Sequence, residues 1–272
     1  MIERGDDLAF AIALAARAGE ILMDRYERLE RVDYKSAKDV VTEADHLSEA
    51  LILDAIRRRH PGDAILAEET GEHQAVAGEA PMSGRGRVWI VDPLDGTINY
   101  ANGIPFFCVS IGLIVDGRPA VGVIHDPTRA ETLAATDDGP AIQVGSLGTD
   151  SRPIATSGKD RATDLVISMS LNGRATARRA ARVRRAIRIS RNMGSAALAL
   201  AYVGNGRFDA FIQQGGLSAW DVAAAGLVAE RAGATVTAMD GGAWFDLAHP
   251  ARSIGIVAAP PAHHATLLEL VR

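Results

Sequence analysis

Two aspartates follow a short apolar run about a third of the way along the chain, and two carboxylates in one tight turn could bind a metal ion. Residues 88–91 have the composition of a buried strand, and Pro93 and Gly96 predict a turn that contains Asp92 and Asp95. Buried carboxylates need hydrogen bonds, a cationic side chain or a metal. Because the turn contains no Lys or Arg, a hard divalent cation is one interpretation. Capping of a turn or of the next helix is the other.

Further acidic residues stand at the ends of other predicted elements. Glu68 follows the apolar run 64–67, and Asp221 begins a predicted helix. Asp45 lies three residues after Thr42 at the start of another helix, which fits a capping box. The same position could direct the Asp45 carboxylate into a polar site. Solvated or capping acids and metal-binding acids therefore both remain open from these residues alone.

The composition limits the classes of protein to which the chain can belong. Its 272 residues, 47% of them hydrophobic, are enough for one large domain or two smaller ones. A formal net charge of −5 does not favour a general nucleic-acid binder. The single cysteine, Cys108, excludes an intrachain disulfide and a cysteine zinc site, and we expect it to be a small core residue.

Targeting signals and nucleophile motifs are missing from the sequence. The N-terminus is unlike a signal peptide and no segment approaches membrane-spanning length, so we expect a cytoplasmic protein that has no membrane partner. Phosphate-binding glycine loops, the serine elbow and the zinc-helix motif are absent. The histidines are scattered, and we expect His263 and His264 to be solvated on the last helix. Carboxylates and hydroxyls remain, which is the chemistry of a hard metal.

Hydrophobic periodicity predicts helices alternating with strands. Helices are expected at residues 8–29, 42–60, 174–186, 195–203, 220–232 and 260–271. Strands are expected at residues 64–67, 88–91, 106–115, 119–124, 132–136, 141–144, 165–169, 208–213, 235–238 and 254–258, with a loop at 72–87. This alternation, with hairpins in the first half, predicts a layered α/β or α+β fold.

Two stretches suggest organisation above the level of single elements. Residues 137–163 are polar and rich in turns, which favours a boundary between subdomains of roughly 1–145 and 146–272 within one catalytic unit. Residues 174–191 carry eight arginines. A solvated helix face is favoured over a surface for nucleic acid or an acidic partner, because the chain is acidic and no aromatic residues interleave.

The acidic stretches together resemble the inositol monophosphatase family. The run WIVDPLDGTINY at residues 89–100 is similar to the family's signature, Glu68-Glu69-Thr70 to its upstream acidic motif, and WDVAAAG at 220–226 to its C-terminal motif. Residues 35–45 match its N-terminal segment with a shortening of one residue near Lys38. The resemblance covers nearly the whole chain. It implies a layered α-β-α-β-α sandwich and a magnesium-dependent phosphomonoesterase.

The resemblance also implies a role for each acidic residue. Glu68 and Asp92 would hold a first Mg²⁺ ion with the Leu94 carbonyl, and Asp92, Asp95 and Asp221 would hold a second. Asp45 would pair with Thr97 to orient the attacking water, and it would help to seat a weaker third ion. Glu68 would share in the catalytic step. Residues implied on the substrate side are Asp95, Gly96, Thr97, Asn192, Gly194, Ser195, Ala196, Gln214 and Asp221.

The alcohol that is released remains open from the sequence. At the position matched to Gln214, inositol-handling relatives carry a glutamate, whose hydrogen bonds are stronger because they are charge-assisted. Inositol 1-phosphate is the first expectation, and histidinol phosphate, fructose bisphosphate and phosphoadenosine phosphate are alternatives. The family also implies lithium inhibition and a homodimer. An alternative of another class is a regulatory partner of a transcription or RNA complex that uses the arginine-rich stretch.

Overall fold

The computed structural model describes residues 4–28, 32–36, 39–74, 86–145, 150–171, 173–249 and 251–272. Its α-helices are α1 (Arg4–Arg25), α2 (Glu43–Arg59), α3 (Thr97–Ala101), α4 (Ala177–Ala186), α5 (Ala196–Gly204), α6 (Ala219–Arg231) and α7 (Pro261–Val271). The strands are β1 (Val32–Ser36), β2 (Asp39–Thr42), β3 (Ala64–Ala67), β4 (Gly71–His73), β5 (Arg87–Asp95), β6 (Cys108–Val115), β7 (Arg118–Asp126), β8 (Glu131–Thr136), β9 (Ile142–Val144), β10 (Ser151–Pro153), β11 (Val166–Ser170), β12 (Ile189–Arg191), β13 (Ala210–Leu217), β14 (Thr235–Ala238) and β15 (Ile254–Ala259).

Two sheets form the frame of the molecule. The larger has the order β10-β9-β8-β7-β6-β5-β3-β4, in which β3 and β5 pair in parallel and the other neighbours pair antiparallel. The smaller has the order β12-β11-β13-β15-β14, with parallel pairs on both sides of β11. Strands β1 and β2 form a separate hairpin.

Helices cover both faces of each sheet and produce five layers. Helices α1 and α2 pack on one face of the larger sheet through a cluster that includes Leu14, Ile56 and Trp89. Helices α5 and α6 fill the space between the two sheets, and α4 and α7 cover the outer face of the smaller one. The predicted layered α-β-α-β-α sandwich is confirmed.

The strand before the acidic turn is longer than the sequence predicts. Strand β5 continues through Pro93 to Asp95, and its pairing with β6 shifts register between Asp92 and Asp95. Pro93 is tolerated because it lies in this irregular stretch, where a missing N–H interrupts no regular ladder. In the predicted loop at 72–87, the described residues extend β4 to His73. Asp92 and Asp95 therefore lie within strand β5 rather than in a turn that follows it.

The histidine pair near the C-terminus lies in the core, so the prediction of solvated side chains is wrong. His263 and His264 are both buried. His263 Nε2 lies 2.6 Å from the Lys159 carbonyl oxygen, and His264 Nε2 lies 3.1 Å from Thr237 Oγ1. Helix α7 packs on the smaller sheet, and this packing buries both histidines. The neighbouring residues in the sequence do not indicate it. Cys108 is fully buried, as predicted.

Among the described residues, no helix combines the length and the apolar composition that crossing a membrane requires.

Candidate active site

Strand pairing brings three of the predicted acids to one end of the larger sheet. Ala67 and Val91 are partners in the parallel pair β3–β5, and the Glu68 N–H donates to the Val91 carbonyl at 3.1 Å. Because the carboxyl ends of parallel strands meet at one edge, Glu68 follows β3 beside Asp92 and Asp95 on β5. The local order of apolar run and acid thus becomes a cluster only through the sheet.

Asp221 joins this cluster from the helix layer between the sheets. It is the third residue of α6, and its carboxylate accepts from the backbone N–H of Ser218 at 2.6 Å as part of a capping box. Carboxylate oxygens of Asp92, Asp95 and Asp221 all lie within 4.8 Å of one another. The capping and metal-binding interpretations are therefore compatible for Asp221, since a carboxylate has two oxygens.

The electrostatics of the cluster favour a bound cation. Burial raises the pKa of Asp92 well above its usual range, and the charges of Glu68, Asp95 and Asp221 raise it further. Burial also raises the pKa of Asp221, followed by the charge of Asp95. Like charges so close repel strongly in a low dielectric. All of the donor atoms are carboxylate oxygens, which Mg²⁺ and Ca²⁺ prefer, so these residues fit a hard divalent metal.

Asp95 is held by the other half of the chain. Its carboxylate accepts hydrogen bonds from the Ser195 hydroxyl and from the Ala197 N–H, the latter at 2.8 Å, at the start of α5. Burial raises the pKa of Asp95, and these hydrogen bonds oppose that shift. Gly96 follows in the left-handed region with a φ of 97°, and a Cβ there would lie 3.1 Å from the Phe106 carbonyl oxygen.

Thr97 and Asp45 lie within hydrogen-bonding distance, next to the carbonyl of Leu94. The Thr97 hydroxyl lies 3.2 Å from Asp45 Oδ1 and 3.0 Å from the Leu94 carbonyl oxygen. The other Asp45 oxygen accepts from the Thr42 N–H at 2.8 Å and the Thr42 hydroxyl at 2.6 Å, which completes a capping box. Burial raises the pKa of Asp45 to about 6. Asp45 therefore caps α2 with one oxygen and faces Thr97 with the other.

A cavity of about 220 Å³ adjoins the acidic cluster. Its lining contains both acids Asp95 and Asp221 and the four predicted residues Asn192, Gly194, Ser195 and Ala196. Asn99 fixes this wall, because its side-chain amide donates to the carbonyl oxygens of Phe106 and Met193, both at 2.7 Å. Ser168, Ser170 and Phe211 also line the cavity and were not anticipated from the sequence.

The structure places Gln213, rather than Gln214, in the cavity wall. Gln214 is exposed and lines a different cavity together with Met239 and Asp240. Successive side chains of a strand point to opposite faces, so a shift of one residue changes the face. The pairing of β13 with β15 shifts register between Gln213 and Leu217. Phe211, two residues earlier on the same strand, also lines the acidic cavity, which agrees with the placement of Gln213.

The predicted N-terminal segment is described only in part. Lys35 and Ser36 lie on β1, of which the structure describes the backbone, and Lys38 lies outside the described residues.

Comparison with known proteins gives one consistent family. The inositol monophosphatase family matches residues 5–272 of the chain. The Nus factor SuhB of Haemophilus influenzae is 34% identical in an alignment of 274 positions that covers 97% of this chain and 95% of that protein. A fructose-1,6-bisphosphatase/inositol-1-monophosphatase of Thermotoga maritima is 34% identical in an alignment of 243 positions that covers 87% of this chain and 86% of that protein.

A solved structure shows the same fold. The extragenic suppressor protein suhB of Bartonella henselae superposes with a TM-score of 0.84 at 32% identity, covering 97% of this chain and 97% of the other.

Proposed function

The chain belongs to the inositol monophosphatase family and is therefore a phosphomonoesterase, and we propose that it hydrolyses inositol 1-phosphate with Mg²⁺. One observation carries the metal part of this proposal: carboxylate oxygens of Asp92, Asp95 and Asp221 lie within 4.8 Å of one another. When bound, two divalent ions would offset the charge of the phosphate dianion and of the developing leaving group and would activate water for attack. A third, weaker ion stays a prediction.

The residues of this chain divide the remaining work. Glu68, Asp92, Asp95 and Asp221, with the Leu94 carbonyl, would hold the ions. Gly96 and Thr97 would offer backbone N–H groups to the phosphate, as turns before helices commonly do. The Asp45 carboxylate accepts from Thr97 Oγ1 in one arrangement of that hydroxyl, and with Thr97 it would orient a water molecule towards phosphorus.

The substrate assignment rests on the cavity wall. The lining offers the hydroxyls of Ser168 and Ser170 and the amides of Asn192 and Gln213, which suit a polyhydroxylated alcohol rather than an apolar one. A relative named as a fructose-1,6-bisphosphatase/inositol-1-monophosphatase supports a sugar or cyclitol phosphate. Fructose bisphosphate, histidinol phosphate and phosphoadenosine phosphate remain the competing substrates.

Magnesium titration of the wild-type chain and of Asp92→Asn tests the metal proposal. We expect calorimetry to detect Mg²⁺ binding to the wild type. We expect Asp92→Asn to lose more activity than the roughly 10–100-fold that is typical of residues that only support a ligand. Asp54→Asn, a substitution of an exposed residue on α2, is the matched control. Wild-type hydrolysis by Asp92→Asn would refute the assignment.

A panel of phosphate monoesters tests the substrate. We expect kcat/KM to be highest for inositol 1-phosphate among inositol 1-phosphate, histidinol phosphate, fructose 1,6-bisphosphate and phosphoadenosine phosphate, all measured with Mg²⁺. Lithium inhibition is expected in the same assay. A higher kcat/KM for any other member would move the substrate assignment and leave the phosphatase intact.

A second candidate is a regulatory role in a transcription or RNA complex. It is favoured by relatives that carry the name Nus factor SuhB and by the exposed arginines of α4, among them Arg178, Arg184 and Arg185. Asp92→Asn separates the two functions. If this variant rescues the cellular phenotype caused by loss of the gene, the regulatory role is supported. If it does not rescue that phenotype, the phosphatase activity is the relevant function. The homodimer and the cytoplasmic location stay predictions.

A further inference from the structure

One polar face of helix α2 contacts both the segment that follows Glu68 and the segment 93–97. Asp45, Ser48 and Glu49 lie at spacings of three and four residues, which places them on the same side of the helix. Asp45 reaches Thr97, and the Ser48 hydroxyl donates to the Pro93 carbonyl at 3.0 Å. Glu49 contacts Glu69 and Thr70, which follow Glu68 in the chain. The helix therefore bridges two segments that are more than 20 residues apart in the chain.

Glu49 binds the segment that follows Glu68 with both of its carboxylate oxygens. Oε2 accepts from the Glu69 N–H at 3.0 Å, and Oε1 accepts from the Thr70 hydroxyl at 2.6 Å. The Glu68 N–H is itself bonded to the Val91 carbonyl. The backbone around Glu68 is thus fixed on one side to β5, which carries Asp92, and on the other to α2.

The hydrogen bonds continue outward in one consistent direction. Arg57 can only donate, so the His73 Nδ1 that lies 2.9 Å from its Nη2 accepts. The proton of neutral His73 is then on Nε2, which lies 2.6 Å from the Thr70 hydroxyl oxygen and donates to it. This leaves the Thr70 proton for Glu49. Burial and the neighbouring Arg57 charge both lower the pKa of His73, which supports the neutral ring.

The fold does not require a carboxylate at position 49. Helix α2 already docks on the larger sheet through Ile52 and Ile56, both fully buried. Glu49 is itself only 2% exposed, and burying a charged group costs free energy that apolar packing would not. Its two acceptor bonds are directed at the Glu69–Thr70 backbone and side chain, next to the acidic cluster. A positioning role accounts for a charge at this site.

We propose that Glu49 is a positioning residue: by holding Glu69 and Thr70 against α2, it fixes Glu68 relative to Asp92 and so sets the affinity of the acidic cluster for divalent metal. The inference rests on the proposed function, because Glu68 acts there as a metal ligand. Residues that support metal ligands typically change metal affinity by about 10–100-fold when they are removed.

Metal titration of a matched set of variants tests the role. Glu49→Gln removes one of the two acceptors, and Thr70→Val removes the hydroxyl while keeping the shape of the side chain. We expect both to raise the Kd for Mn²⁺, titrated alone by calorimetry, by about tenfold. Thr70→Ser restores the hydroxyl and should bind close to wild type. Ile56→Val destabilises the same helix without touching a polar group and controls for a general effect.

Activity measurements add a second readout. If the role is positioning, kcat of Glu49→Gln falls at low Mg²⁺ and recovers as Mg²⁺ is raised, while KM for the substrate at saturating metal stays near the wild-type value. A purely structural loss would lower the active fraction at every Mg²⁺ concentration. Circular dichroism identifies any variant that fails to fold, and Thr70→Val at its exposed position then carries the test.

The outcomes separate this inference from the proposed function. If the wild type binds Mn²⁺ and both Glu49→Gln and Thr70→Val bind it with an unchanged Kd, the positioning role is wrong and the metal mechanism stands. If Ile56→Val weakens binding as much as they do, helix stability explains the effect and the role is also wrong. If the wild type binds no Mn²⁺, the proposed function itself fails.

Discussion

Asp95 shows how one carboxylate can serve both the fold and the site. It accepts from the Ser195 hydroxyl and the Ala197 N–H, and it thereby satisfies donors at the first turn of α5. The same carboxylate lies in the cluster with Asp92 and Asp221. The residue therefore ties strand β5 of the larger sheet to the helix layer between the sheets, at the place where the chemistry is proposed to occur.

Removing the Thr97 hydroxyl should slow the chemical step. This hydroxyl has one proton and two acceptors in reach, Asp45 Oδ1 and the Leu94 carbonyl. Thr97→Val keeps the shape and should lower kcat by about 100-fold or more, as expected when a group that assists proton transfer is lost. Thr97→Ser should stay close to wild type. Steady-state kinetics at saturating Mg²⁺ measures both, and an unchanged kcat in Thr97→Val would contradict the role.

The adjacent glutamines of β13 offer a direct comparison. Gln213 lines the cavity beside the acids, and Gln214 lies in a different cavity. Gln213→Ala should cost about 1 kcal/mol of substrate binding, or roughly a fivefold rise in KM, because a hydrogen bond to the alcohol is lost. Gln214→Ala should leave KM unchanged. The two KM values for one substrate decide the matter, and the reverse order would restore the position first expected from the sequence.

Helix α6 packs closely on the larger sheet because glycines on two strands leave room for it. A Cβ on Gly122 of β7 would lie 2.5 Å from the Ala224 carbonyl oxygen, and a Cβ on Gly112 of β6 would lie 3.3 Å from the Ala223 Cβ. The alanine-rich middle of α6 therefore approaches the sheet closely. The close packing of α6 on the sheet fixes the position of Asp221, which lies about one turn earlier on the same helix.

Gly122→Ala should lower stability and disturb the metal site together. The added methyl group would meet backbone rather than a flexible side chain, so α6 must move. Overpacking of this kind costs about 1–3 kcal/mol of unfolding free energy. Gly158→Ala, where a Cβ would meet nothing within 4 Å, is the control. Denaturant unfolding and Mg²⁺ titration measure the effect, and a Gly122→Ala protein as stable as the control would contradict the packing argument.

At the scale of the whole molecule, the site lies where the two halves of the chain meet. Glu68 follows β3, and Asp92 and Asp95 lie on β5, in the first half of the chain. Asp221 and the wall around Ser195 come from α6 and the start of α5, in the second half. Repulsion among these carboxylates opposes the packing of the layers when no cation is bound. Metal binding should therefore couple to the stability of the entire fold.

The stabilisation by Mg²⁺ should increase with pH. A raised carboxylate pKa gives stability at low pH that is lost as pH rises through the folded pKa. For Asp45, between its ordinary 3.8 and about 6, this is worth up to about 3 kcal/mol. The raised pKa values of Asp92 and Asp221 act in the same direction. Metal must displace these protons, so the increase in Tm on adding Mg²⁺ should be small at pH 5 and larger at pH 8.

Thermal unfolding with and without Mg²⁺ at both pH values measures this linkage. Asp92→Asn should lose the magnesium-dependent shift at pH 8. An equal shift at pH 5 and pH 8 in the wild type would show that the raised pKa values are not linked to metal binding.

The single catalytic unit expected from the sequence makes its own prediction. Hydrogen bonds and apolar contacts between α5, α6 and the larger sheet cross the boundary near residue 145. We therefore expect one cooperative unfolding transition rather than two. Calorimetric and van't Hoff enthalpies that agree would support this, and two resolved transitions would favour independent subdomains.

Several local features of the site could be predicted from the amino-acid sequence alone. Apolar runs followed by acids predict Glu68 and Asp92 at the ends of strands, and Glu68 does follow β3, although β5 continues to Asp95. The capping box predicted at Thr42 and Asp45 is present in the structure. These features depend on neighbouring residues within a few positions, where turn and capping chemistry acts. The resemblance to the inositol monophosphatase family, carried by the same short motifs, is confirmed.

The way in which these local features combine depends on the tertiary fold. It placed Gln213 rather than Gln214 at the cavity, because Gln213 lies on the same face of β13 as Phe211 and successive side chains of a strand point to opposite faces. It also buried His263 and His264. The contacts of Ser48 and Glu49 on α2 join residues 20 to 45 positions apart. Such contacts depend on how the layers pack against one another, and hydrophobic periodicity within a single element does not predict them.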